Sequence, residues 1–83
     1  MVASTRLLMK VSDTELALPI EKVNRIIGLD LKTTGTMYYE DADGNRDKIA
    51  VEADTQLDLK IRKIFATGTT AGLQVYALLG EGF

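Results

Sequence analysis

The segment 36–51 constrains this chain more than any other. Thr36-Met37-Tyr38-Tyr39 and Lys48-Ile49-Ala50-Val51 are rich in β-branched and aromatic residues, and between them stands Asp41-Ala42-Asp43-Gly44-Asn45. Such runs suit a pleated, half-buried surface. An Asp-Gly pair supplies the positive φ that a tight turn needs. The pattern predicts a β-hairpin across 34–53 with Asp43-Gly44 at its tip. Two registers compete. A two-residue turn gathers Tyr38, Ile49 and Val51 on one face. A three-residue loop gathers Met37, Tyr39, Ile49 and Val51 and pairs Glu40 with Lys48. The second buries more apolar surface and is preferred, although a slip of one residue would exchange the faces.

The other elements are built around this hairpin. Residues 5–11 read as a strand, Ser12-Asp13-Thr14 as a turn and residues 15–18 as a second strand, with Val11 opposite Leu16 and Met9 opposite Leu18. Pro19 suits the first turn of a helix, where its missing N–H costs nothing. Ile20, Val23 and Ile27 follow at helical spacing, and Gly28 sits where a helix C-terminal glycine belongs. A short helix is expected across 20–27. Residues 55–66 fit either a helix or a strand. The clean alternation of Asp58, Lys60 and Arg62 with apolar residues favours a strand ending near 64. Thr67–Gly72 reads as a loop. Residues 73–79 read as a last strand with Leu73, Val75, Ala77 and Leu79 on one face. The expected fold is therefore mostly β: one small domain with a strongly bent, five-stranded antiparallel sheet and one short helix.

Composition narrows the chemistry. Eighty-three residues contain neither cysteine nor histidine. Disulfides, thiolate nucleophiles and the usual zinc ligands have no donors, and the side chain best suited to proton transfer near neutral pH is missing. No catalysis and no cofactor are expected. No apolar run approaches the roughly 20 residues needed to span a bilayer. The first residues lack the basic segment and apolar core of a secretory signal, so the expected location is the cytoplasm, or a host's cytoplasm if the chain is of phage origin.

Charge is unevenly spread. The total is −2, but residues 31–58 carry seven acidic and three basic side chains, whereas 59–83 carry Lys60, Arg62 and Lys63 against Glu81. Asp41-x-Asp43-Gly44-Asn45-x-Asp47 has the hard oxygen donors of a calcium loop. With Gly44 as the sixth position, however, Tyr39 and Ala50 fall where that loop requires carboxylates, and a hairpin tip accounts for the same residues. Gly68–Gly72 lacks the Lys-Ser/Thr ending of a phosphate-binding loop. The basic trio Lys60, Arg62 and Lys63 is the strongest candidate for function. On a strand, Lys60 and Arg62 share a face. Repeated around an oligomer, the trio would hold RNA phosphates, with Tyr38, Tyr39 or Tyr76 stacking on bases; a solvated strand face paired with acidic groups from residues 40–58 accounts for the same residues. The small size, the open strand edges and the two apolar faces of the last strand all point to a homo-oligomer.

Together these features resemble the Sm-like (LSm-like) family. Asp41 and Asn45 have the four-residue spacing of its first signature, with Gly44 in place of the usual apolar residue. Ile61-Arg62 begins its second, with Lys63 where that signature has glycine. The chain also resembles the small cysteine-free proteins of marine phages and ocean metagenomes, among which Sm-like members occur. What the resemblance implies is a small open barrel, ring assembly through edge strands, and single-stranded RNA bound by Arg62, Lys60, Lys63, Asn45 and Tyr39. The other reading is a structural or adaptor protein, phage-related, that binds another protein through its oligomer surface.

Overall fold

A computed structural model describes residues 5–80. Residues 1–4, on which the expectation about a secretory leader rests, lie outside the described residues, as do Glu81 and Gly82. The elements run β1 (Thr5–Leu8), α1 (Ile20–Val23), β2 (Ile26–Leu31), β3 (Gly35–Asp41), β4 (Arg46–Val51), β5 (Thr55–Leu57), β6 (Ile61–Phe65) and β7 (Val75–Leu79). They form two antiparallel sheets, one of four strands in the order β1-β7-β2-β5 and one of three in the order β4-β3-β6. Among the described residues the strands close no barrel. The molecule measures 37 × 26 × 16 Å, and its short axis holds two sheets about 10 Å apart but no third layer.

The mostly β expectation holds, but seven strands in two sheets replace the single bent sheet of five. The chain alternates between layers. β2 belongs to the four-stranded sheet, the β3–β4 hairpin to the other, β5 to the first again, β6 to the second and β7 to the first. One core lies between the layers. Leu29, Leu31, Val75, Ala77 and Leu79 enter it from one sheet, Met37, Tyr39, Val51, Ile61 and Ile64 from the other, and Met9, Leu18, Val23 and Leu73 close its ends.

The 36–53 hairpin forms as expected, with Met37, Tyr39, Ile49 and Val51 on the core face. Its register lies two residues from the preferred one. Met37 pairs with Ile49, and Glu40 pairs with Arg46 rather than Lys48. The reversal over 42–44, again a three-residue loop, is favoured because Asp41 Oδ1 accepts the N–H groups of both Asp43 and Asn45, each at 2.9 Å, and the Asp41 carbonyl accepts from Gly44 at 3.1 Å. A side chain that satisfies two turn donors fixes where the chain reverses, and with it the register of the two strands.

Three expectations are corrected. The 5–11/15–18 hairpin is absent. β1 pairs with β7 instead, with Leu7 opposite Ala77. Val11 then crosses to a parallel bridge with Ile64, and the Ala17 N–H donates to the Arg62 carbonyl at 3.1 Å, so 11–17 covers the outer side of β6. The helix is a single turn, because the chain from Ile26 onward is strand β2, where Ile26 is buried and paired with Leu79 of β7. Gly28 consequently lies inside β2 beside a bulge, where a Cβ would sit 3.4 Å from the Leu57 carbonyl. Residues 55–64 are strand, but broken at 58–60 into β5 and β6, one in each sheet.

Candidate functional site

β6 carries Arg62 and Lys63 of the basic trio that the sequence singles out, Lys60 immediately precedes it, and the structure separates the three by role. Lys63 stands opposite Glu40 on the β3–β6 ladder, but the next pair is Asp41 with Ile61. Arg62 is thus the extra residue of a bulge. Its Nε lies 3.0 Å from Glu40 Oε2 but out of line for a hydrogen bond, and no other acceptor reaches that nitrogen. The contact is an ion pair of poor geometry on a half-buried side chain. The bulge brings Arg62 and Lys63 to the same Glu40 side instead of letting them alternate. Lys60 lies in the break before β6 and donates to the Asn24 carbonyl at 3.3 Å. The Lys63 ammonium donates to the Asp13 carbonyl and stands 5.2 Å from the Phe65 ring centre.

The remaining two candidates lie elsewhere. Asn45 is exposed at the hairpin tip. Tyr39 is 8% exposed and belongs to the core. Burial raises its phenol pKa, and the negative charges of Asp47 and Asp41 push in the same direction. It is Tyr38 that faces outward. Its cross-strand partners are Lys48 on β4 and Phe65 on β6. Lys48 Nζ stands 5.9 Å from the Tyr38 ring centre and the Arg46 guanidinium 5.8 Å, while Arg46 lies 4.3 Å over the Phe65 ring. The outer face of the three-stranded sheet is therefore a cationic and aromatic surface made of Arg46, Lys48, Lys63, Tyr38 and Phe65, with Glu40 at its middle. Cation–π contacts hold these long side chains upright over apolar rings. The sequence reading did not single out Arg46, Lys48 or Phe65, because they join Lys63 only through strand pairing. The correct hairpin register would have revealed the first two.

The outer face of the four-stranded sheet has a different character. Asp30, on central strand β2, is nearly buried. Arg6 Nη2 reaches its Oδ2 at 2.5 Å from β1, and Lys32 Nζ lies 3.3 Å from the same oxygen. The Arg6 guanidinium also lies 4.9 Å over the Tyr76 ring. Arg6, Lys32, Gln74 and Tyr76 line an open hollow of about 450 Å³. Beside this polar cluster, Leu8 (56% exposed) and Ile27 (54%) present apolar surface to solvent. Among the described residues no group of three or more acidic side chains is placed to hold a metal ion, and no helix is long and apolar enough to cross a membrane.

No protein-family profile matches the chain, and no curated protein matches it. Among solved structures, one chain of "Capsid of native GTA particle computed with C5 symmetry" is similar to it, with a TM-score of 0.72 and 23% sequence identity over 89% of this chain and 80% of that one. At that identity the likeness establishes a shared fold. It overturns the Sm-like resemblance and the RNA-binding ring drawn from it: the matched architecture is a two-sheet one from a capsid. Within it Asp41 and Asn45 serve the geometry of a hairpin tip, and Arg62 pairs with Glu40.

Proposed function

We propose that this protein is a non-catalytic structural subunit of a capsid-type particle, joined to its neighbours through the open faces of its two sheets. The observation that carries this reading is the shared fold with a chain of the GTA particle's capsid. Both chains are small: 89% of 83 residues corresponds to 80% of a chain of about 92. A plate of 37 × 26 × 16 Å suits an accessory piece seated on a larger shell. The cationic and aromatic face of the three-stranded sheet suits the seat. Arginine and aromatic side chains dominate the tight centres of protein interfaces, and here Arg46 and Lys63 are already ordered over rings, which lowers the entropy lost on docking. In a chain of net charge −2, a face holding Arg46, Lys48, Lys63 and Arg62 against Glu40 is complementary to an acidic protein surface.

The test is direct. Particles from the cells that carry this gene are separated on a density gradient and their proteins quantified by mass spectrometry. The chain is expected to sediment with the shell protein in a fixed ratio. Recovery solely in the light fractions, with particles present in the heavy ones, overturns the reading.

A further inference from the structure

The two edges of the four-stranded sheet fit one another. Among the described residues β1 and β5 are its terminal strands. The ladder is antiparallel throughout, so β1 and β5 run in opposite directions. A second copy laid beside the first, β1 against β5, continues the antiparallel order without a break.

Hydrogen-bond parity then restricts the register. The Met9 N–H donates to the Val75 carbonyl at 2.8 Å and the Lys32 N–H to the Gln74 carbonyl at 3.0 Å. Backbone groups alternate sides along a strand. On β1 the odd-numbered residues therefore face β7, and Arg6 and Leu8 turn their N–H and C=O groups outward. On β2 the even-numbered residues face β7, so Leu29 and Leu31 face β5 through Leu57 and Thr55. That leaves the backbone groups of Gln56 pointing outward, with Asp58 just past the end of β5. Joining the outward groups of Gln56 to those of Leu8 places Arg6 opposite Asp58. In that register Leu7 meets Leu57 on the core face, and Lys10 arrives beside Asp54. Moving the strands by two residues one way sets Arg6 against Lys60; moving them the other way sets Leu8 against Asp54. Charge thus selects one register from those that parity allows.

We infer that a second copy of this chain docks edge to edge, β1 of one protomer pairing with β5 of the next in the register Arg6–Asp58 and Leu8–Gln56. The supports are charge complementarity between Arg6 and Asp58, the outward backbone groups of Leu8 and Gln56, and a Leu7–Leu57 contact that extends the apolar core. The hollow of about 350 Å³ lined by Ile27, Gly28, Gln56, Leu57, Asp58 and Leu78 opens along the β5 edge, on the side where Leu8 of the incoming strand arrives. Two different edges are used, so the contact is heterologous and grows past the dimer. The inference stands on these edges and not on the capsid reading.

The test is light scattering of the purified full chain across a concentration series. The mass is expected to rise beyond twice 9.1 kDa. Asp58→Arg and Arg6→Asp each place like charges opposite one another, and each is expected to raise the concentration needed for assembly roughly tenfold. An equimolar mixture of the two restores assembly, because every junction then joins opposite charges. Gln56→Pro removes an outward N–H without touching the β2 ladder and is expected to leave a folded monomer. If Arg6→Asp unfolds, as a melt would show, Asp58→Arg and Gln56→Pro decide the matter. A wild type that stays monomeric, stops at a dimer, or assembles unchanged with Gln56→Pro and Asp58→Arg overturns the inference.

Discussion

Replacing Gly35 with alanine adds one methyl group to the strand that heads the hairpin, and the structure leaves no room for it. A Cβ there would lie 2.2 Å from Thr70 Oγ1, 2.6 Å from Thr70 Cβ and 2.9 Å from Thr70 Cγ2. Ordinary contacts between such atoms are about 3.5–4.0 Å, so Thr70 must retreat by roughly 1 Å. It is a short, β-branched side chain and cannot swing aside without losing its contacts. Its hydroxyl oxygen accepts the Thr36 N–H at 2.9 Å, and its own N–H donates to the Thr36 carbonyl at 3.0 Å. Overpacking costs about 1–3 kcal/mol, and the strained or lost hydrogen bond adds about 1 kcal/mol. The backbone entropy that alanine saves offsets roughly 0.5–1 kcal/mol. The expected net loss is about 1–3.5 kcal/mol, a fall in Tm of roughly 5–25 °C for a chain of this size. Urea unfolding of Gly35→Ala, Thr70→Gly and the double variant measures it. Thr70→Gly removes all three offending atoms, so the double variant is expected to be no less stable than Thr70→Gly alone, a coupling well above the roughly 0.5 kcal/mol scatter of independent sites. A Gly35→Ala protein within about 0.5 kcal/mol of wild type, or costs that simply add, refutes the reasoning.

Further outcomes are expected at other positions. Gly44→Ala meets no atom within 4 Å but forces alanine to φ +90, so only about 1–2 kcal/mol of backbone strain is expected, measured in the same urea titration. Asp13 accepts the Thr67 hydroxyl at 2.6 Å and the Thr67 N–H at 3.0 Å, and these bonds lower its pKa from 3.8. Its contribution is present above that value and is lost as pH falls through the lower, folded-state pKa. The Tm gap between wild type and Asp13→Asn is thus expected to narrow on acidification below about pH 4; a gap constant from neutral to strongly acid pH contradicts this. For Tyr39 the sign reverses. Its pKa is raised above 10.0 by burial first and by Asp47 and Asp41 next, so the neutral phenol's contribution is full below pH 10 and declines as pH climbs through the folded value. Tyr39→Phe should flatten the alkaline fall in Tm relative to wild type. On the cationic face, Arg46→Ala combined with Lys48→Ala is expected to release the chain from purified particles at a salt concentration the wild type withstands, with an unchanged melt; equal retention of both proteins argues that another face is the seat.

Local chemistry made some elements legible in the sequence. The 36–53 hairpin was plain because alternating apolar residues and an Asp-Gly turn lie within a few residues of each other, and the same holds for β7 with its alternation of Val75, Ala77 and Leu79. Where two local patterns competed, the sequence alone misled. Ile20, Val23 and Ile27 have helical spacing, yet Ile26, Leu29 and Leu31 become a central strand because β7 offers them a partner about fifty residues away. Met9 and Leu18 appeared to face each other across a turn, yet β1 pairs with β7 at the far end of the chain. The surfaces were less legible still. Lys60, Arg62 and Lys63 are neighbours in sequence, but a bulge and the ion pair with Glu40 decide where each one points. Arg46, Lys48, Tyr38 and Phe65 meet only across strands.

The amino-acid sequence by itself settled the mostly β character, the main hairpin with its buried face, and the absence of cysteine and histidine. These depend on composition and on contacts between residues close along the chain. Tertiary structure decided the division into two sheets, the hairpin register, the cationic face and which strands stand at the edges. Each of these is a choice among long-range pairings that local sequence leaves nearly equal in energy, and the gain from burying a common core separates them.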